Sequence, residues 1–219
     1  MAALCRAAVG ADDYVLEYLP EMIARREILM TVVGRRVRAM TGLTECADGA
    51  LWIGQLRTHP RWRRRGLARM LLDRAYARVV RESRPALRLW TSERNVAARS
   101  LFESSGFRPV AAFSRMVAKS LPSAVRSHLA AGPLQSRTLL LEWERSMFAR
   151  DGKEFLDYHW RFTRLSGSVV RTMKSRRELY CASDGTLLFW AGEENRTTVH
   201  VAALSGGRAA LLRARRVAG

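Results

Sequence analysis

Apolar residues in the first half of the chain follow two alternating periods. Ile28 to Val33 (ILMTVV), Val37 to Leu43 (VRAMTGL) and Leu51 to Thr58 (LWIGQLRT) are short apolar or β-branched runs. Each is bounded by turn residues: Gly34-Arg35, then Ala47-Asp48-Gly49, then His59-Pro60. They predict three strands joined by tight hairpins, hence antiparallel. From Leu67 the period lengthens. Leu67, Leu71, Ala75 and Val79, flanked by Ala68 and Leu72, recur at helical spacing, with Arg69, Asp73 and Arg81 opposite. Pro85 restarts the chain, and Leu87 and Leu89 alternate with Arg88 and Trp90 as a fourth strand. Ser92 or Asn95 can then cap a helix ending near Gly106. Ahead of all these, Arg6 to Val9 read as a short first strand. Asp12 or Asp13 caps a helix through Tyr14, Leu16 and Leu19, which Pro20 is expected to break or to restart at Glu21.

The second half is patterned less sharply. Lys119 to Ser123 reads as a linker and Ala131-Gly132-Pro133 as a break. Leu139 to Arg150 and Glu154 to Arg164 both suit helices, anchored by Trp143, Phe148, Phe155 and Trp160. Leu179 to Ala182, Thr186 to Ala191 and Thr197 to Leu204 read as strands, with Ser183-Asp184-Gly185 and Gly192 to Asn195 between them. Gly206-Gly207 precedes a basic helix ending at Arg213, Arg215 and Arg216. The expected organisation is a first domain over 1–118 and a smaller α+β unit over 119–219.

One junction carries chemistry. The strand ending at Thr58 passes into the helix from Leu67 through Arg61-Trp62-Arg63-Arg64-Arg65-Gly66. The first amides of a helix have no intrahelical partner, and the helix dipole favours negative charge there. Strand, basic glycine turn and helix together predict an anion site.

Composition widens that picture. The chain has 219 residues, is 48% hydrophobic and carries a net charge of +18. The positive charge is nearly all arginine, lysine occurring only at Lys119, Lys153 and Lys174. Such a surplus suits a polyanionic cofactor, and equally nucleic acid or a ribosome; an arginine-rich genome would also produce it. No stretch is long and apolar enough to suggest a membrane span, and the N-terminus does not read as a secretory signal. Cys5, Cys46 and Cys181 are odd in number and widely spaced, as expected of free thiols in the cytoplasm. His59, His128, His159 and His200 lack ligand spacing, so no metal site is expected.

The turn Arg63-Arg64-Arg65-Gly66-Leu67-Ala68, preceded by Thr58-His59-Pro60, resembles the acetyl-CoA-binding motif of the GNAT N-acetyltransferase superfamily, Gln/Arg-x-x-Gly-x-Gly/Ala. A second stretch, Asn95-x-x-Ala98-x-x-Leu101-Phe102 followed by Gly106-Phe107, is similar to the family's Asn-x-x-Ala-x-x-Leu-Tyr and Gly-Phe. The two motifs come in the family's order, with the right helix and strand between them, and the resemblance spans roughly residues 4 to 118. It implies an α/β (α+β) fold with a mixed, mostly antiparallel central sheet flanked by helices. Residues 119–219 would be a smaller α+β unit, a candidate for a degenerate second half of the same fold. The cofactor implied is acetyl-CoA and the acceptor a primary amine, on a small molecule or a protein N-terminus or lysine. The turn is also similar to that of the N-terminal acetyltransferases acting on ribosomal proteins. A homodimer would be compatible with all of this.

Residue by residue, the resemblance implies that Arg63, Arg64, Arg65, Gly66, Leu67 and Ala68 hold the diphosphate. Gln55, Leu56, Arg57 and Thr58 would pair with pantetheine and polarise the thioester, Asn95 would meet the thiol end, and Arg99 the 3′-phosphate. Phe102 stands where the family often has a tyrosine that protonates the leaving thiolate, and phenylalanine has no proton to give. Tyr76 or water would then have to serve. Leu51 to Thr58 contains no carboxylate. Glu93 is the first candidate for base or water-orienter and Glu45 the second, although either alone also reads as a solvated loop carboxylate. Two other functions fit the same residues. Arg61 to Arg65 could bind nucleic acid with Trp62 stacking a base, or the domain could be a catalytically silent acetyl-CoA sensor, as Phe102 would suggest.

Overall fold

The computed structural model describes residues 1–113, 155–158, 160–176, 179–181, 187–195 and 198–204. The chain divides into two compact units, Met1–Arg108 and Pro109–Gly219.

In the first unit β1 (Ile28–Val33), β2 (Arg36–Glu45), β3 (Leu51–Thr58) and β4 (Leu87–Arg88) form one sheet in that order. The first three strands are antiparallel, and β4 runs parallel to β3. The β1–β2 hairpin turns through Gly34 (φ 58°) and Arg35 (φ 60°), both in the left-handed region that a two-residue turn of this twist requires. At the β2–β3 turn the Asp48 carboxylate accepts from the Ala50 amide (3.2 Å) and pairs with Arg88 of β4 (2.5 Å). One contact set thereby fixes both the hairpin and the entry of the parallel strand.

The sheet is covered on both faces, and so the middle of β2 is buried without interruption from Ala39 to Leu43. On one face Met40 packs with Leu4 and Cys5 of α1 (Ala2–Ala8) and with Val15, Leu19 and Met22 of α2 (Val15–Ala24). On the other, Leu43, Leu51 and Ile53 meet Leu72, Ala75 and Val79 of α3 (Leu67–Arg81) and Phe102 of α4 (Val96–Ser104). Ala39 packs with Leu67 and Leu71 on the α3 side. Each large apolar side chain buried this way contributes about 1.5–3 kcal/mol. The α3 stripe falls on the predicted residues, and Arg69, Asp73 and Arg81 are exposed.

Three expectations are corrected. Residues 6–9 do not form a strand: Ala2–Ala8 is helical, as four alanines favour, and buries Leu4 and Cys5. Pro20 neither ends nor restarts a helix but lies inside α2, where its exposed ring is tolerated although the Leu16 carbonyl loses its intrahelical donor. The segment read as a helix over 154–164 is instead a hairpin of β5 (Phe155–Tyr158) and β6 (Arg161–Arg164), turning through Trp160 at φ 62°. Its aromatic and β-branched residues suit a pleated surface, with Leu156 opposite Thr163 and both buried.

The second unit continues with α5 (Gly167–Ser175), whose cap Ser166 accepts from the Val169 amide (3.4 Å). An antiparallel sheet of β7 (Leu179–Cys181), β8 (Leu187–Asn195) and β9 (Thr198–Leu204) follows, close to the predicted strands, although β8 runs through Gly192 to Asn195. The expected linker, the helix over 139–150, the Gly206-Gly207 turn and the basic helix after it lie outside the described residues. No helix among the described residues is long and apolar enough to cross a membrane.

Candidate active site

Two features of β3 shape the site. First, the β2–β3 register shifts between Met40 and Gly42, and at this bulge Gln55 adopts φ 52°, left-handed for a non-glycine residue. The Gln55 side chain lies over Gly42: a β-carbon there would overlap the Gln55 amide oxygen and come within 2.8 Å of the Met22 methyl. Second, β4 pairs with β3 only at Leu51↔Leu87 and Trp52↔Arg88. From Ile53 to Thr58 the β4 side of β3 has no strand partner among the described residues. Alternate amides and carbonyls along that stretch, Gln55 to Thr58 included, therefore face an open edge.

At the end of this edge the chain turns. His59 closes the strand and accepts from the Arg61 amide through Nδ1 (3.3 Å), starting a 3₁₀ turn at Pro60–Trp62. Arg64 (φ 58°) and Gly66 (φ 76°) are both left-handed, and α3 begins at Leu67. Among the described residues, nothing accepts from the amides of Arg64, Arg65, Gly66, Leu67 or Ala68. A β-carbon built on Gly66 would project into open space, and Ala68 presents only a methyl. The result is a row of unsatisfied donors at the positive end of a 15-residue helix, on the side where a bulky side chain is missing.

The arginines of the turn are not equivalent. Arg63 donates from Nη2 to the Ala8 carbonyl at the end of α1 (3.2 Å), and Arg65 lies over the Trp62 ring (4.7 Å to the centroid). Arg61 and Arg64 have no side-chain partner among the described residues. Trp62 also receives Arg38 (5.1 Å) and packs on the Ala39, Leu67 and Leu71 cluster, so its ring is already engaged. This weakens the expectation that it stacks a nucleic-acid base.

Arg57 serves the fold. Its Nε and Nη2 donate to the two oxygens of Asp13 (2.8 and 2.7 Å), and its guanidinium lies 5.5 Å from the centre of the Tyr14 ring. Asp13 is buried, and the Arg57 hydrogen bonds hold its carboxyl below the usual carboxylate range. The pair ties the start of α2 to the end of β3. Sequence reading missed it, having treated Asp13 as a cap and Arg57 as cofactor-lining; the two lie 44 residues apart and carry no local signal.

The other candidates scatter. Asn95 caps α4, its Oδ1 accepting from the Ala98 amide (3.2 Å), which leaves its own N–H groups to donate. Arg99 pairs with Glu103 (3.6 Å) on the exposed face of α4. Phe102 is a core residue, buried beside Phe107 at 5.9 Å in an edge-to-face contact. Tyr76 is 63% exposed, on the side of α3 away from the sheet. Glu93 sits exposed in the loop after β4. Glu45 ends β2 opposite Leu51 and pairs with Arg84 (2.8 Å). That places it roughly 23 Å along β3 from Thr58, at the opposite end from the turn.

Residues 10–107 match the model of the acetyltransferase (GNAT) family. A search of the curated proteins finds no match. Among solved structures, a candidate acetyltransferase from Thermoplasma acidophilum is 15% identical, with a TM-score of 0.59 over 94% of this chain and 72% of that one. AAC(6′)-Iy, solved with a CoA-linked bisubstrate analogue, is 15% identical (TM-score 0.45; 53% and 89% covered). The ribosomal-protein-S18-alanine N-acetyltransferase of Escherichia coli is 20% identical (TM-score 0.44; 50% and 70% covered). The bulged third strand, the short parallel fourth and the open amide turn all lie inside residues 10–107, the span that matches the GNAT acetyltransferase family model.

Proposed function

We propose that the chain is an acetyl-CoA-dependent N-acetyltransferase that acetylates a primary amine by direct attack in a ternary complex. The observation that carries this reading is the set of free amides from Arg64 to Ala68 at the end of the unpaired edge of β3. The fit is chemical. A diphosphate needs several close donors and local positive charge, which the amides, the α3 dipole and Arg64 supply. Pantetheine carries amide groups along an extended chain, and the open side of Ile53–Thr58 offers complementary groups in the manner of an added strand. The bound thioester supplies the activated acetyl group.

The chain's own residues then have three tasks. Left-handed Gln55 and its neighbours turn main-chain donors toward the region where negative charge would develop on the thioester oxygen. Asn95 directs its amide N–H groups to the thiol end, and Arg99 is placed for the 3′-phosphate. An amine with an ordinary pKa near ~10.4 must lose a proton before attack, at about 4–5 kcal/mol at pH 7. Glu93 is the carboxylate we assign as base or water-orienter. Glu45, engaged by Arg84 at the far end of β3, is second. Buried Phe102 and outward-facing Tyr76 leave the thiolate to take its proton from water; thiolate is a good enough leaving group for turnover to survive this. Cys5 and Cys46 are buried and not engaged in a disulfide, which suits a cytoplasmic protein.

Calorimetric titration with CoA tests the reading. The wild-type chain should bind, and Gly66→Glu, which places a carboxylate and a β-carbon where the diphosphate sits, should abolish binding without unfolding the protein. Thiol release from acetyl-CoA should then appear with one class in a panel of amines. Binding without release on any amine would identify a sensor; salt-dependent RNA binding indifferent to CoA would identify a nucleic-acid module.

A further inference from the structure

We infer that Trp62 is a positioning residue for the diphosphate turn, acting through Arg65; the inference rests on the acetyl-CoA reading above. Arg65 lies between two left-handed residues, Arg64 (φ 58°) and Gly66 (φ 76°), so the peptides on either side of it carry two of the donors, the Arg65 and Gly66 amides. A left-handed arginine is unfavourable unless something holds it. Arg64 itself has no side-chain partner among the described residues, so the nearest anchor is on the residue after it: the stack of the Arg65 guanidinium on the Trp62 ring at 4.7 Å. The ring is itself fixed: it packs on Ala39, Leu67 and Leu71, it receives Arg38 at 5.1 Å, and its amide donates to the His59 carbonyl (2.8 Å).

The stack has two consequences. It fixes the direction of the Arg65 side chain and with it the orientation of the neighbouring amides, so that less ordering remains to be done when the anion arrives. It also draws the Arg65 cation back onto the ring, leaving Arg64 as the free guanidinium of Arg63 to Arg65. Arg38 brings a second cation to the same indole, which concentrates positive potential beside the turn without obstructing it. Trp62 is assigned no contact with the acyl group or the acceptor amine, so its loss should weaken binding of the diphosphate and leave the chemical step alone.

The test uses the full chain and two readouts, calorimetric CoA binding and steady-state thiol release. Trp62→Leu should raise the CoA Kd about tenfold and Trp62→Phe, which keeps a ring of lower cation affinity, about two- to threefold. The KM for acetyl-CoA should follow Kd, with kcat at saturation within twofold of wild type. Combining Trp62→Leu with Arg65→Met should bind no more weakly than Trp62→Leu alone. A Kd within twofold of wild type in Trp62→Leu overturns the inference, as does a fall in kcat matching that in kcat/KM, or additive losses in the double variant. Should Trp62→Leu not fold, Trp62→Phe and Arg65→Met decide the matter: both must weaken CoA binding at an unchanged melting temperature, and two wild-type affinities refute it. If the wild-type chain itself does not bind CoA, the acetyl-CoA reading fails and takes this one with it. A wild type that binds while the variants bind equally well sinks the inference alone.

Discussion

At the scale of single residues, the Asp13–Arg57 pair offers the sharpest test. Both side chains are largely out of water and meet through two hydrogen bonds, 2.8 and 2.7 Å. Asp13→Ala would leave a buried guanidinium without its counter-charge, and removing one partner of such a pair costs about 3–5 kcal/mol. Urea unfolding at pH 7 should show that loss, and adding Arg57→Met to Asp13→Ala should recover part of it. The same contact sets an acid dependence. Asp13 titrates below its unfolded value because Arg57 hydrogen-bonds the carboxylate, so the folded state holds fewer protons than the unfolded one. The stabilisation is complete above the unfolded value of about 3.9 and disappears as pH falls through the lower native value. Wild type and Asp13→Asn should therefore differ most at neutral pH and converge in strong acid; a constant gap down to pH 2 would contradict the assignment. Sequence reading had both residues in view but gave them separate tasks. What it could not supply was the partner, because a bidentate pair between a helix start and a strand end depends on how the sheet and helix pack and leaves no mark on spacing.

At the scale of elements, most of what was legible came from period and punctuation. The bounds of β1 and β3 and the buried stripe of α3 coincide with their predicted residues, since alternation, turn residues and helical spacing each have one physical meaning there. The bulge was not legible. Nothing in LWIGQLRT says that Gln55 takes φ 52°, because the residue is an ordinary strand former and the register shift is imposed by pairing with β2. Its cost is testable by substitution. A β-branched residue suits the left-handed region worst, so Gln55→Val should destabilise by about 2 kcal/mol. In Gln55→Gly the relief of strain opposes the greater freedom of the unfolded chain, and stability should stay within about 1 kcal/mol of wild type. Thermal unfolding of the two variants checks the order; a valine variant as stable as the glycine one would mean that the backbone is not strained. Pro20 gives the converse case in α2, where an exposed proline sits in a helix interior. Replacing it with alanine restores the donor to the Leu16 carbonyl and removes the ring clash, so Pro20→Ala should raise stability by up to about 3 kcal/mol. An unchanged or lowered denaturation midpoint would show that the proline costs α2 nothing at this position.

For the molecule as a whole, the distribution of function between the two compact units is the question the structure makes concrete. Residues 10–107 match the family model, and the first unit runs from Met1 to Arg108. The hydrophobic clusters that support the site, around Leu43, Met40 and Ala39, draw their members from residues 1 to 107. The free amides, the open edge of β3 and the Asp13–Arg57 tie lie there too. A segment that encloses its own core and its own anion site should fold and bind without the remainder. The fragment 1–108 is therefore expected to unfold cooperatively and to bind CoA within about threefold of the full chain. Both affinities should weaken as salt is raised, because the ligand is a polyanion and the turn is cationic. Thiol release with the acceptor amine is the discriminating measurement. If the fragment binds CoA as tightly as the full chain yet releases thiol at a small fraction of its rate, residues 109–219 act on the acceptor or on the chemical step. If it binds CoA more than tenfold more weakly although folded, the second unit supplies cofactor contacts, and the amide turn is not the sufficient site that its geometry indicates.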